Sequence, residues 1–182
     1  MPSTTEPAQL ADRLALLDQL ATEGGIELQD DVALGPLTTL RVGGTADRLT
    51  EARTVPELVA ALEAANAAGV PAGVIGKGSD VVVADAGVRG LVIRNRADAL
   101  TIEEGVVSAA SGAAMATVVK RSTAARLAGI EFGISIPGSV GGAVWANAGA
   151  HEGEMKDVIV SVDAWSAAGG ASTLPSAACA FA

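Results

Sequence analysis

Two glycine-rich stretches place small residues where a backbone must come close to something. The first is Gly76-Lys77-Gly78-Ser79-Asp80, between the apolar runs Val74-Ile75 and Val81-Val82-Val83. The second is Ile136-Pro137-Gly138-Ser139-Val140-Gly141-Gly142, which runs into Asn147-Ala148-Gly149-Ala150. Glycine lets successive N–H groups turn toward an anion with no side chain in the way. Ser79 and Ser139 add a hydroxyl at the same place in each stretch. Two such loops, about sixty residues apart, suit one extended phosphate-bearing ligand held at two points, a dinucleotide rather than a single phosphate. The competing reading is two ordinary tight turns in a chain with 22 glycines. Neither stretch is a G-x-G-x-x-G fingerprint, since Gly76-Lys77-Gly78 lacks the third glycine and leads into β-branched residues instead of a helix. No Walker loop is present either. A nucleotide would need some other fold.

The remaining polar residues carry two readings each. Arg41, in Thr38-Thr39-Leu40-Arg41-Val42-Gly43-Gly44, either meets a phosphate or steadies its own loop. Lys77 lies inside a phosphate-type loop, yet its side chain is equally able to point to water. Lys120, Arg121 and Arg126 read as the solvated face of a helix. Asn147 sits among small residues, where an amide left without partners is costly to bury. Glu152, Glu154 and Asp157 lie close together but lack the further ligands of a metal cage. Cys179 and His151 are the only residues of their kinds, which excludes an intrachain disulfide and argues against a zinc site.

Composition narrows the partners. The net charge of −9 opposes a nucleic-acid backbone, and the scarcity of aromatics (Phe132, Phe181, Trp145, Trp165, no tyrosine) argues against base-stacking platforms. Apolar residues make up 49% of the chain, largely through alanine and valine, so a core of small side chains is expected. The start, Met1-Pro2-Ser3-Thr4-Thr5-Glu6, carries no targeting signal, and no uninterrupted apolar run is long enough to span a bilayer. The expectation is a cytoplasmic protein with no membrane partner.

The elements that must position these loops can be read from periodicity. Leu10, Leu14, Leu17 and Leu20 recur at helical spacing over 8–22, with Gly24-Gly25 as the stop. Thr54-Val55-Pro56-Glu57 is a capping box that opens a second helix, ended by Gly69. Strands are expected at 70–75, 81–83, 90–93, 99–102, 106–110, 157–165 and 171–174, and a further helix at 113–127. Helices and strands mix without strict alternation, so the expected class is α+β.

The stretch Thr38 to Gly44, then Gly76 to Asp80, then Gly129-Ile130-Glu131-Phe132 through Ile136 to Gly142 and on to Asn147-Ala148-Gly149-Ala150 resembles the UDP-N-acetylenolpyruvoylglucosamine reductase family. Four separated motifs recur in the same order over roughly residues 31 to 182. The resemblance implies an FAD-binding domain of the vanillyl-alcohol-oxidase (PCMH) type, with two α/β subdomains, preceded by a helical extension over 1–30. It implies flavin contacts at Arg41, Gly76, Lys77, Gly78, Ser79, Asp80, Ile136, Pro137, Gly138, Ser139, Gly141, Gly142, Asn147, Gly149 and Ala150. Asp80 departs from the pattern, because the family usually has asparagine there and a carboxylate repels a pyrophosphate. His151 falls where the family often has an aromatic or a histidine near the flavin; a solvent-facing turn residue fits it equally.

The resemblance further implies a reaction in peptidoglycan synthesis. NADPH supplies hydride through FAD to the enolpyruvyl double bond of a UDP-sugar, and a serine protonates the adjacent carbon. The run Ala178-Cys179-Ala180-Phe181-Ala182 matches the segment that in the family leads into Tyr-Arg, where the catalytic arginine lies. On this reading the catalytic arginine, serine and glutamate and the substrate-binding domain lie beyond residue 182, so no catalytic or metal residue is expected here. The alternatives are another FAD-dependent oxidase or dehydrogenase of the same flavin fold, and a non-catalytic fragment without cofactor.

Overall fold

The computed structural model describes residues 5–181; the readings made on Met1 to Thr4 and on Ala182 lie outside them. Two compact units meet in sequence at Asn95 and Arg96. The first holds α1 (Thr5–Glu23), β1 (Gln29–Ala33), β2 (Thr45–Ala52), α2 (Val55–Ala68), β3 (Ala72–Ile75) and β4 (Val88–Asn95). Its sheet runs β1-β2-β4-β3, antiparallel between β1 and β2 and parallel elsewhere. β4 is an inner strand whose middle, Gly90 to Ile93, is buried, with the apolar Leu91-Val92-Ile93 covered on both faces. Leu91 and Ile93 face one core with Leu17, Ala61, Ala65 and Ala68, while Val92 faces the other with Leu34, Ala46, Leu49, Ile75 and Val83. All three buried positions of α2 are alanines, in line with the expected core of small side chains.

α2 starts and stops where its sequence says. The Thr54 hydroxyl accepts from the Glu57 N–H at 3.3 Å, and the Glu57 carboxylate reaches back to the Arg53 N–H at 2.7 Å. Gly69 closes the helix in the left-handed region at φ 65°. α1 is fixed to the sheet by Leu17 and by Arg48, whose guanidinium donates two hydrogen bonds of 2.8 Å to Asp18 and pairs with Asp30 at 3.2 Å. That hydrogen-bonded pairing holds the Asp18 carboxyl below the ordinary carboxylate range.

The second unit holds hairpin β5 (Leu100–Glu103) and β6 (Val106–Ala109), then α3 (Met115–Ala124) and α4 (Val140–Trp145). Two further hairpins follow, β7 (Gly149–Ala150) with β8 (Gly153–Glu154) and β9 (Ser161–Ser166) with β10 (Gly170–Pro175). Met115, Phe132, Ala143 and Met155 form its core, against which Ile136, Val140, Val144 and Val158 pack. The class is α+β, as expected.

Some expected elements are not there. Val81 to Val83 is a loop, not a strand: Val81 and Val82 are exposed and pair with nothing, so β propensity alone does not make a ladder. The strand expected over 157–165 begins only at Ser161, because Met155–Asp157 winds into a tight helical turn capped by Glu154 and Asp157. The latter part of the second glycine stretch is not loop but the first turn of α4. β1 and β2 were not expected at all.

Candidate functional site

In the first unit a turn over 35–44 is built by its own hydroxyl. Thr38 is buried; its Oγ1 donates to the Gly35 carbonyl at 3.0 Å and accepts the Arg41 N–H at 3.1 Å. Arg41 is thereby held in the left-handed region at φ 56°, with an exposed side chain. The Thr39 N–H then donates to the Gly78 carbonyl at 2.9 Å, which pins this turn to Gly76–Asp80. Gly78 is buried at φ 64°, and a Cβ there would run into the Leu37 carbonyl oxygen. Glycine is required at this position by the neighbouring turn, whatever binds outside.

The outer side of the Gly76–Asp80 turn is different. Among the described residues, the backbone N–H groups of Lys77, Gly78, Ser79 and Asp80 donate no hydrogen bond within the chain. Arg41 and Lys77 are exposed and, among the described residues, in no ion pair. A run of unengaged N–H donors with two unpaired cations in the same unit is the donor set that a pyrophosphate needs. The residues present therefore fit the anionic part of a dinucleotide. Asp80 is exposed at the end of this turn. Leu40, Val42, Val81 and Val82, which flank the turns in sequence, are exposed apolar side chains. Read as a strand, the valine run at 81–83 conceals that Val81 and Val82 are open side chains.

The second glycine stretch, in the other unit, uses most of its donors internally. The Val140 N–H donates to the Ala113 carbonyl at 2.8 Å, and the Gly141 N–H to the Ser111 carbonyl at 2.7 Å. Buried Ser139 caps α4, its hydroxyl accepting the Gly142 N–H at 3.5 Å. The Ile136 N–H goes to the Gly133 carbonyl and the Gly138 carbonyl accepts from Met115. Among the described residues only the Gly138 and Ser139 N–H groups of this stretch, which Pro137 cannot join, have no acceptor in the chain. A Cβ on Gly141 would lie 2.8 Å from Ser111 Cβ, so this glycine too answers to its own unit. Trp145, the last residue of α4, is 93% exposed.

Asn147, Gly149 and Ala150 follow in the same unit. The Asn147 Nδ2 donates to Glu154 Oε2 at 2.9 Å, and its Oδ1 accepts the Lys156 N–H at 3.0 Å. Lys156 Nζ closes on the same Glu154 oxygen at 2.6 Å. The Lys156 ammonium, with the Asn147 amide second, holds the Glu154 carboxyl below its ordinary range; the Lys156 amine is raised in turn. His151 and Glu152 form the exposed tip of this hairpin, both at positive φ.

Residues 46–174 match the family described as FAD binding domain. The chain is 39% identical over 158 residues to a UDP-N-acetylenolpyruvoylglucosamine reductase of Lactiplantibacillus plantarum, covering 86% of this chain and 52% of that protein. A namesake from Anaeromyxobacter sp. is 42% identical over 160 residues, 86% of this chain and 49% of its own length. The chain thus spans about half the length of the curated relatives it matches. Among solved structures, the corresponding reductase of Thermus caldophilus superposes with a TM-score of 0.69 at 32% identity, over 84% of this chain and 53% of that one. The glucooligosaccharide oxidase of Acremonium strictum, at 14% identity and a TM-score of 0.59 over 90% of this chain and 37% of that one, shares the fold alone. With its unengaged N–H run at 77–80 and this match over most of its length, the chain belongs to the FAD binding domain family and is similar to the N-terminal half of UDP-N-acetylenolpyruvoylglucosamine reductases.

Proposed function

We propose that this chain is the flavin platform of an NADPH-dependent FAD oxidoreductase that reduces UDP-N-acetylenolpyruvoylglucosamine to UDP-N-acetylmuramate in peptidoglycan synthesis, in the cytoplasm. The observation that carries the reading is the Gly76–Asp80 turn, whose Lys77 to Asp80 N–H donors face no acceptor among the described residues while the Gly78 carbonyl is fastened to Thr39. When bound, FAD supplies hydride transfer between NADPH and the enolpyruvyl carbon. The chain's own residues bind and orient. The N–H groups of Lys77 to Asp80, with the Arg41 and Lys77 cations, hold the pyrophosphate. In the second unit, taken by itself, the Gly138 and Ser139 N–H groups are the open donors, and Gly149 and Ala150 are assigned to flavin contact. Residues 31–182 form the FAD-binding domain on this reading, and Gly76, Ile136, Pro137, Gly141 and Gly142 shape it without donating to the ligand.

A proton donor for the substrate carbon and a group to stabilise enolate charge are assigned to the part of the relatives that this chain does not span. General acid catalysis alone is worth roughly 10²–10⁴-fold. His151 lies at a hairpin tip and Cys179 Sγ donates only to the Pro175 carbonyl, at 3.6 Å. The test has two arms. The purified chain, incubated with FAD and desalted, is expected to keep flavin absorbance. Adding NADPH and UDP-N-acetylenolpyruvoylglucosamine is expected to give no turnover comparable to a full-length reductase. A colourless desalted chain overturns the flavin assignment. Turnover at full-length rates overturns the division of labour.

A further inference from the structure

Asn147, which the resemblance placed among the flavin contacts, is instead joined to Glu154, Lys156 and Asp157 in a set of contacts within its own hairpin. Asn147 reaches Glu154 with its donor and Lys156 with its acceptor, at 2.9 and 3.0 Å. Lys156 Nζ and Asn147 share one Glu154 oxygen, and the Glu154 N–H donates to Asp157 Oδ2 at 2.9 Å. The Met155 N–H donates to the Ala148 carbonyl at 3.1 Å, and Met155 itself is buried in the unit's core. Both strands of the hairpin are pressed down: a Cβ on Gly149 would lie 2.8 Å from Glu154 Cγ, and one on Gly153 would lie 2.8 Å from the Phe132 ring. Asn147, His151 and Glu152 take positive φ, at 44°, 50° and 67°, which only an over-determined loop sustains. Both ends of the Asn147 amide face the loop's own groups. Such an amide is badly placed to serve a ligand and well placed to fix a backbone.

From this geometry we infer that Asn147 is a positioning residue. Through Glu154 and the Lys156 N–H it locks the Gly149–Gly153 hairpin in the one conformation that offers the Gly149 and Ala150 backbone to the flavin cofactor. The inference rests on the flavin reading above and deepens it by separating the residue that shapes the hairpin from the backbone that contacts the ligand. A direct ligand and a positioning residue respond differently when the amide's partner changes. In the pair N147D/E154Q the donor and acceptor are exchanged: the carboxylate at 147 accepts from both the new amide at 154 and the Lys156 N–H. The hydrogen bond returns with its direction reversed, while the chemistry offered to any ligand at 147 changes from amide to carboxylate.

The experiment titrates FAD into the wild-type chain, N147A, N147D, E154A, N147A/E154A and N147D/E154Q, with melting of each apo-protein measured alongside. N147A and E154A are each expected to lose about tenfold in FAD affinity, the scale of one hydrogen bond to a charged group. N147A/E154A is expected to lose no more than the worse single variant. N147D, with two facing carboxylates, is expected to lose more, and N147D/E154Q to return to within about threefold of wild type. Additive losses in the double variant, or failure of the exchanged pair to restore affinity, would overturn the inference and make Asn147 a direct ligand. If N147A does not fold, the exchanged pair decides alone: it must fold and bind. Wild-type binding with every variant unchanged overturns this inference and leaves the flavin reading standing. Absence of FAD binding by the wild-type chain defeats both.

Discussion

The two glycine stretches share a composition and differ in what their backbones do. Gly76–Asp80 is fastened by the Gly78 carbonyl to Thr39 and leaves four successive N–H groups without acceptors among the described residues. Ile136–Gly142 is fastened over most of its length, with Val140, Gly141 and Gly142 donating to Ala113, Ser111 and Ser139. The first keeps open the N–H donors that an anion would take. The second is built as the start of a helix, with two N–H groups left over. Glycine and serine together therefore report close approach, and the hydrogen-bond accounting decides whether a ligand or the chain itself is approached.

The sharpest way to break the contrast is Gly78→Val. It places a β-branched residue at φ 64° and drives Cβ into the Leu37 carbonyl, at a cost of about 2–5 kcal/mol. The expected outcome is loss of FAD retention together with a lowered melting temperature; a variant that keeps wild-type flavin and stability would remove the first cradle. Gly141→Val crowds Ser111 at an ordinary helical position, for about 1–3 kcal/mol. Its melting temperature is expected to fall and its flavin loss to track that fall, so full flavin retention with an intact fold would mean that this glycine serves neither unit nor ligand. Asp80→Asn removes a carboxylate from the end of the first turn and is expected to tighten FAD binding by roughly 1 kcal/mol at an exposed site. An unchanged dissociation constant would place that carboxylate away from the pyrophosphate. Ser139→Ala removes a cap whose bond is already long at 3.5 Å, so about 0.5–1 kcal/mol of stability is expected to go with little change in FAD affinity.

Acid sharpens the same contrast more gently. The Glu154 carboxyl is depressed in the folded chain, so its contribution is fully present above its ordinary value of 4.5 and is lost as pH falls through the folded value below it. The Lys156 N–H signal should therefore shift only as pH falls below 4.5. The Thr39 N–H, bonded to a backbone carbonyl, should move less, and equal shifts at both would mean that the hairpin lock is not what titrates.

Much of this was legible because it follows local rules. Helix α2 is announced by Thr54, Glu57 and Gly69, and both glycine stretches stand out by composition alone. β2 was hidden because it carries Asp47 and Arg48 in a buried strand. Their partners are remote in sequence: Asp47 accepts the Gly90 N–H at 2.8 Å and pairs with Arg89 at 2.9 Å, while Arg48 reaches Asp18. α4 was hidden by Gly141 and Gly142, poor helix formers that only a cap and close packing on Ser111 make tolerable. The sequence shows Asn147 as an amide needing partners; it does not show that they sit seven and nine residues onward, because nothing in a run of small residues marks where a hairpin folds back.

The position of Trp145 has an optical consequence. Its indole is 93% exposed at the end of α4, whereas Trp165 is partly covered in β9, and the chain has no other tryptophan and no tyrosine. Emission from the folded chain should be red-shifted and readily quenched by iodide, as if much of it were already unfolded. Replacing Trp145 by phenylalanine would leave Trp165 as a single reporter, blue-shifted while the second unit is intact. A fluorescence melt of the unaltered chain would show a reduced amplitude, since the water-facing Trp145 signal changes little when the core opens.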